Sequence, residues 1–258
     1  MGEIIAIMNQ KGGCGKTTTV VNLATSLAVM GKAVLVVDMD PQANATTSFG
    51  FNKTKLKHTI YSAISGDVSI KETTFRTSIK NLYIIPSNIS LSGVGVELSK
   101  LDNYHIILKN LLKEIKGYFD YILIDLPPSL GIITINGLVA ADSVIIPIQA
   151  EYYALEGVAD LINTIDLVQN RLKSPTHIKG ILLTLFDTRT RLSKEVFNEI
   201  KKYFENKEHI FKTVIPRNIK LAEAPSYGKP CILYDQESSG AIAYLKLAQE
   251  ILDLEEDE

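Results

Sequence analysis

Residues 4–19 read IIAIMNQKGGCGKTTT, an apolar run that breaks into a glycine-rich loop. Five apolar residues, Ile4 to Met8, have the length and composition of a buried strand. A glycine-rich polar loop follows and runs directly into GKT, with an apolar-periodic segment behind it that ends at Gly31. The spacing predicts strand, loop and a helix from Lys16 to about Met30. That is the setting in which glycines turn backbone N–H groups inward and a helix N-terminus faces an anion. Gly12, Gly13, Cys14, Gly15, Lys16, Thr17 and Thr18 are therefore the candidate nucleotide-binding residues. Lys16 supplies the point charge for the β- and γ-phosphates, and the Thr17 hydroxyl is placed for Mg²⁺. A plain glycine-rich turn with an exposed lysine is the competing reading, and it does not explain the downstream carboxylate described next. One residue is surplus to this chemistry: a second lysine, Lys11, where one suffices.

Working outward, the chain alternates short apolar runs with helical stretches. Further strands are expected at 33–38, 82–86, 121–125, 143–148, 180–186 and 213–216, and further helices near 104–116, 131–141, 155–171, 193–205 and 239–253. The runs are continuously apolar, as strands of a mostly parallel sheet covered on both faces should be. The expectation is a single α/β domain over 1–258, a doubly wound sheet with its ligand site at the carboxyl ends of the strands. Residues 50–78 carry no clear pattern and are expected to hold short helices and a connection.

Two carboxylate segments point to that same end. In YILIDLPPS, Asp125 closes an apolar strand where it can hold Mg²⁺, and Pro127 and Pro128 stiffen the exit. In VVDMDPQANATT, Asp38 closes the second strand and Asp40 lies two residues beyond. Either could orient an attacking water, or merely anchor the turn before Pro41; spacing does not choose between them.

Composition narrows the rest. The 258 residues are 46% hydrophobic with a net charge of −2, so binding to nucleic acid needs a local patch rather than a global pull. Cys14 and Cys231 are the two cysteines; their separation fits neither a disulfide framework nor a structural zinc and suits a reducing cytoplasm. The N-terminus has no basic leader, Ala6 breaks a myristoylation signal, and no apolar stretch approaches the roughly 20 residues of a bilayer span. Between 171 and 220 the basic segments RLK, RTR and PRNIK gather, with Lys194 and Lys201 on one face of a helix, interrupted by Glu195, Glu199 and Glu205.

KGGCGKTTT, DMDPQANAT and YILIDLPPSLGIITINGLVAADSVIIPIQAEYYALEG together resemble the ParA/Soj family of DNA-partitioning ATPases, in the deviant Walker A group of phosphate-loop proteins. The resemblance continues through TLFDTRTRLSKEV, TVIPRNIKLAEAPSYGKP and YDQESSGAIAYLKLAQEIL. It implies slow, partner-stimulated hydrolysis of ATP with Mg²⁺ and a homodimer formed on ATP binding. It assigns Lys11 to the partner subunit's phosphates, Asp40 to water activation, Asp125 to the metal, and Pro216 and Asn218 to the adenine. It further implies non-specific binding of double-stranded DNA, for which Arg189, Arg217 and Lys220 are the nominated positions, a ParB-type centromere-binding partner, and a cytoplasmic, nucleoid-associated location without a membrane. Chromosome or plasmid segregation is the implied role. A MinD-like positioning ATPase for a protein cargo fits less well, because EILDLEEDE at the C-terminus is acidic where anionic lipid would require basic residues. A metabolic ligase built on the same loop is the remaining alternative.

Overall fold

The computed structural model describes residues 2–151, 154–205 and 207–256, with backbone alone for 154–157, 192 and 256. Tyr152 and Tyr153 of the EYYALEG stretch, and Asp257 and Glu258 of the acidic tail, lie outside the described residues. Seven strands, β1 (Glu3–Ile7), β2 (Val34–Asp38), β3 (Phe75–Arg76), β4 (Leu82–Ile85), β5 (Tyr121–Asp125), β6 (Ser143–Gln149) and β7 (His177–Thr184), form one sheet in the order β3-β4-β2-β5-β1-β6-β7. All pairings are parallel except β3 with β4. The helices are α1 (Lys16–Val29), α2 (Asn44–Ser48), α3 (Ile60–Ile64), α4 (Val94–Leu98), α5 (Ile107–Lys113), α6 (Ile132–Ala140), α7 (Ala154–Leu172), α8 (Arg191–Phe204), α9 (Ile219–Glu223), α10 (Cys231–Tyr234) and α11 (Ser239–Glu256).

The continuous apolar runs now have a physical reason. Ile4 and Ala6 of β1, Leu35 and Val37 of β2 and Ile122 and Ile124 of β5 pack on one side with α5 and α6. Ile5 and Ile7, Val34 and Val36, and Tyr121 and Leu123 pack on the other side with α1 and α11. With both faces covered, each large side chain contributes about 1.5–3 kcal/mol of burial, and the central strands β2 and β5 are buried along their whole length. Close approach matters at one point near the site. A Cβ on Gly137 of α6 would stand 2.4 Å from a methyl of Leu126, so only glycine lets α6 sit against the exit of β5.

The expected run 213–216 is not a strand. It contributes an isolated bridge, Phe186 with Pro216, and the hydrogen bonds Phe186 N–H to Ile215 O at 3.0 Å and Arg217 N–H to Phe186 O at 3.0 Å. The N–H groups of Lys212 and Thr213, at its start, go to the Glu250 carboxylate at 2.6 and 2.9 Å instead of to β7, and past Pro216 the chain enters α9 at Ile219. The unread region 50–78 contains α3 and the two-residue edge strand β3.

Candidate nucleotide site

Parallel register brings the site together. β1, β2 and β5 are adjacent, and Ile7, Asp38 and Asp125 occupy the same level at their carboxyl ends. Past β1 the buried Asn9 fixes the loop, its amide donating to Pro147 O at 2.6 Å while its Oδ1 accepts from Lys11 N at 2.9 Å. Gly13 and Gly15 adopt φ of +74° and +89°, the left-handed region that side chains disfavour. A Cβ on Gly12 or Gly13 would meet nothing within 4 Å, so the space against this backbone is open. Gly15 caps α1 without a side-chain hydrogen bond, and no acidic residue lies in the first turn. The free N–H groups of that turn can therefore be met by an anion.

The two loop lysines are held differently. Lys16 is buried, and its Nζ donates to Lys11 O at 2.9 Å, with Cys14 Sγ at 3.9 Å. Lys11 Nζ lies 2.5 Å from Glu151 Oε2 at a half-exposed position. Cys14 is buried beneath the loop; its thiol donates to Lys11 O at 3.2 Å, its carbonyl accepts from Thr184 Oγ1 at 2.7 Å, and burial raises its pKa.

Asp38 and Asp125 stand side by side with opposite surroundings. Both are fully buried. Asp38 accepts from Thr46 N–H at 2.8 Å, Thr46 Oγ1 at 2.7 Å and Asp40 N–H at 3.1 Å. Burial still pushes its carboxyl up to about 6 against those donors. Neither carboxylate oxygen of Asp125 receives a well-formed hydrogen bond among the described residues, the Thr17 hydroxyl being the donor set nearest to supplying one. Burial first, and the neighbouring Asp38 charge second, hold its pKa well above the usual carboxylate range, opposed by Thr17 and Lys16. An uncompensated buried carboxylate costs several kcal/mol, about what a cation arriving beside it would relieve. The donor set of Thr17 and Asp125, hard oxygens beside an open glycine cradle, fits Mg²⁺ bound to a phosphate.

Asp38 is thus used up in positioning the loop that carries Asp40. Asp40 accepts from Gln42 N–H at 2.9 Å and lines a cavity of about 640 Å³ with Gly12, Gly13, Lys16, Thr17 and Pro128. The structure therefore separates two aspartates that spacing left equivalent. Pro216 and Asn218 are not among the residues lining this cavity. Asn218 caps α9, accepting from Lys220 and Leu221 N–H at 2.8 and 3.3 Å, and its amide donates to Ser239 Oγ at 2.9 Å. Of the nominated basic residues, Arg189 forms a two-pronged pair with Asp187 at 2.9 and 2.7 Å and lowers that carboxyl to about 2, while Lys220 pairs with Glu223 at 3.2 Å. Arg217 is exposed and makes no direct ion pair among the described residues, its charge acting on Asp187 only from a distance.

Sequence reasoning missed Thr46, Leu185 and Glu151. Thr46 had a signal, since a hydroxyl eight residues beyond a strand-ending aspartate can return to it. Leu185 lines the cavity at a left-handed φ of +53°, and nothing in its side chain announces that.

A glycine cradle at a helix N-terminus, a buried lysine and an unpaired strand-end carboxylate define a phosphate-loop ATPase. The AAA domain family model matches residues 2–178. The sporulation initiation inhibitor protein Soj of Bacillus subtilis is 51% identical, over 97% of this chain and 98% of its own length. The chromosome partitioning protein ParA of Myxococcus xanthus is 47% identical over 98% of this chain and 88% of its own. Among solved structures, cobyrinic acid a,c-diamide synthase from Mycobacterium smegmatis with bound ATP analogue and magnesium superposes with a TM-score of 0.87 at 36% identity, covering 98% of this chain and 94% of that one. The chain belongs to the ParA/Soj family of chromosome-partitioning ATPases and hydrolyses ATP with Mg²⁺. No helix among the described residues is long and apolar enough to cross a membrane.

Proposed function

We propose that this ATPase is a nucleotide-dependent dimer that binds DNA without sequence preference and segregates a chromosome or plasmid, near the nucleoid, with a ParB-type partner that accelerates a slow basal hydrolysis. The 1–258 chain acts as one domain. One observation carries the dimer: Lys16 lines the phosphate cavity of its own chain whereas Lys11 does not, its ammonium resting on Glu151. A loop lysine that leaves its own phosphates unserved is available to another subunit's.

In this reading Lys16 and the N–H groups of Gly12 to Thr18 bind the phosphates, and Thr17 and Asp125 hold the metal. Mg²⁺, when bound, neutralises charge on the β- and γ-phosphates. Asp40 orients the attacking water, and Lys11 from the partner subunit stabilises negative charge on the transferring group in the manner of an arginine finger. Pro216 and Asn218, in the segment that leads from α8 into α9, contact the adenine. Arg189, Arg217 and Lys220 contribute the DNA surface, which two subunits held together present twice.

The test is DNA binding by a filter or mobility assay with and without ATP and Mg²⁺. Retention should appear with ATP, ignore base sequence and fall steeply with salt as counterions are released. Equal binding without nucleotide would remove the switch. A ligase reading draws on the name of the Mycobacterium smegmatis relative; fast turnover tied to a small-molecule product would favour it.

A further inference from the structure

The structure gives Lys11 an occupant that none of the roles above uses. Lys11 Nζ and Glu151 Oε2 are 2.5 Å apart across 140 residues of chain. Glu151 is itself fixed: its second oxygen accepts from the Gln149 side-chain amide, and its N–H donates to Gln149 O at 2.8 Å. Gln149 ends β6, the strand beside β1, and Glu151 lies in the bend two residues beyond it, tied to that strand end through Gln149. At the base of the same lysine, its N–H is taken by Asn9 Oδ1 at 2.9 Å and its carbonyl by Lys16 Nζ at 2.9 Å. Both cations of the phosphate loop are thus satisfied within the chain before any phosphate arrives.

We infer that Glu151 is a positioning residue that restrains Lys11 in the single subunit and sets the threshold for dimerisation. The inference rests on the trans role of Lys11 proposed above. Glu151 offsets the charge of the Lys11 ammonium and holds it against its own chain, so seating that ammonium on a phosphate of another subunit works against this pair in each subunit. Both partners are half-exposed, which makes the restraint weak enough for nucleotide to overcome: an exposed ion pair shifts an equilibrium by up to about fivefold. The dimer works against two of them. A factor of about threefold per subunit becomes about tenfold in the dimer dissociation constant. Removing the restraint should therefore change how readily the dimer forms and leave unchanged what the formed dimer does.

Glu151→Gln keeps the shape and removes the charge. Its specific ATPase activity, followed against protein concentration with saturating ATP and Mg²⁺, should reach half-maximum at about tenfold lower protein than wild type, with the same plateau. Light scattering should show the dimer at correspondingly lower concentration. Gln149→Ala, which frees the second carboxylate oxygen, should move the half-point the same way by less. Raising salt should narrow the gap between wild type and Glu151→Gln, because only the wild type loses an ion pair to screening. A half-point that does not move, or moves to higher protein, would overturn the restraint; the latter would mean that Glu151 supports the dimer directly. Lys11→Ala separates the two levels: if it dimerises and hydrolyses normally, the trans role itself fails, whereas loss of its dimer with no effect of Glu151→Gln sinks the restraint alone.

Discussion

The phosphate-loop end of the sheet and the basic surface between Asp187 and Glu223 differ in how their charges are met. At the first, Asp125 is fully buried and its oxygens receive no well-formed hydrogen bond among the described residues. At the second, Arg189 is 85% exposed yet tied to Asp187, and Lys220 is tied to Glu223. A buried uncompensated charge is costly and is retained where a ligand will compensate it. An exposed compensated charge costs little and states nothing by itself. The first region therefore declares its chemistry in one subunit, while the DNA role proposed for the second rests on two copies presenting it together.

The largest expected effect follows from the first region. Lys16→Ala removes the buried cation of the phosphate loop, and turnover should fall by at least about a hundredfold, the scale of losing one electrostatic contact to charge developing in the transition state. Near-normal hydrolysis would remove the loop from the mechanism. Asp125→Asn tests the cost of that carboxylate. It should abolish Mg²⁺-dependent turnover yet raise the melting temperature of the nucleotide-free protein, because one raised pKa unit is worth about 1.4 kcal/mol. The sign follows from the proton count. Asp38 and Asp125 bind protons more tightly folded than unfolded, so the nucleotide-free wild type should lose stability as pH rises from about 4 through about 6. A melting temperature that climbs over this range, or is lowered by Asp125→Asn, would break the contrast between the two regions.

The smaller effects belong to the second region. Arg217→Glu should weaken ATP-dependent DNA binding more than Arg189→Glu, since Arg217 is the member without a direct carboxylate partner and the Arg189 charge is already shared with Asp187. Each reversal should lower the salt dependence, by about 1 in the logarithmic slope for one lost phosphate contact, with ATP-driven dimerisation intact. The opposite ranking, measured by titration at two salt concentrations, would show that the Asp187 pair opens on DNA at little cost.

Legibility in the sequence followed the same divide. β5 matches its apolar run residue for residue, and α1 differs from its expected end by one position, because burial on both faces and a glycine stop are written locally. Asp125 was legible because a strand of four apolar residues places its fifth at the crevice. The different surroundings of Asp38 and Asp40 were not, since they depend on Thr46 reaching back in space to Asp38. The run at 213–216 reads as a strand and keeps a single bridge, because the N–H groups at its start are taken by Glu250, a residue distant in sequence. Glu151 had no signal at all: its meaning lies in the 2.5 Å contact that adjacent strands create between distant segments.

The trans role of Lys11 is tested most directly by molar mass in solution, measured by light scattering with ATP and Mg²⁺ on Lys11→Ala and Asp40→Ala side by side. Lys11→Ala should bind nucleotide and remain at the monomer mass, because its partner's phosphates lack the ammonium that bridges the interface. Asp40→Ala should accumulate at the dimer mass, because hydrolysis no longer dissolves it. Equal masses for the two variants, both matching wild type at every concentration, would contradict a lysine that acts across the dimer.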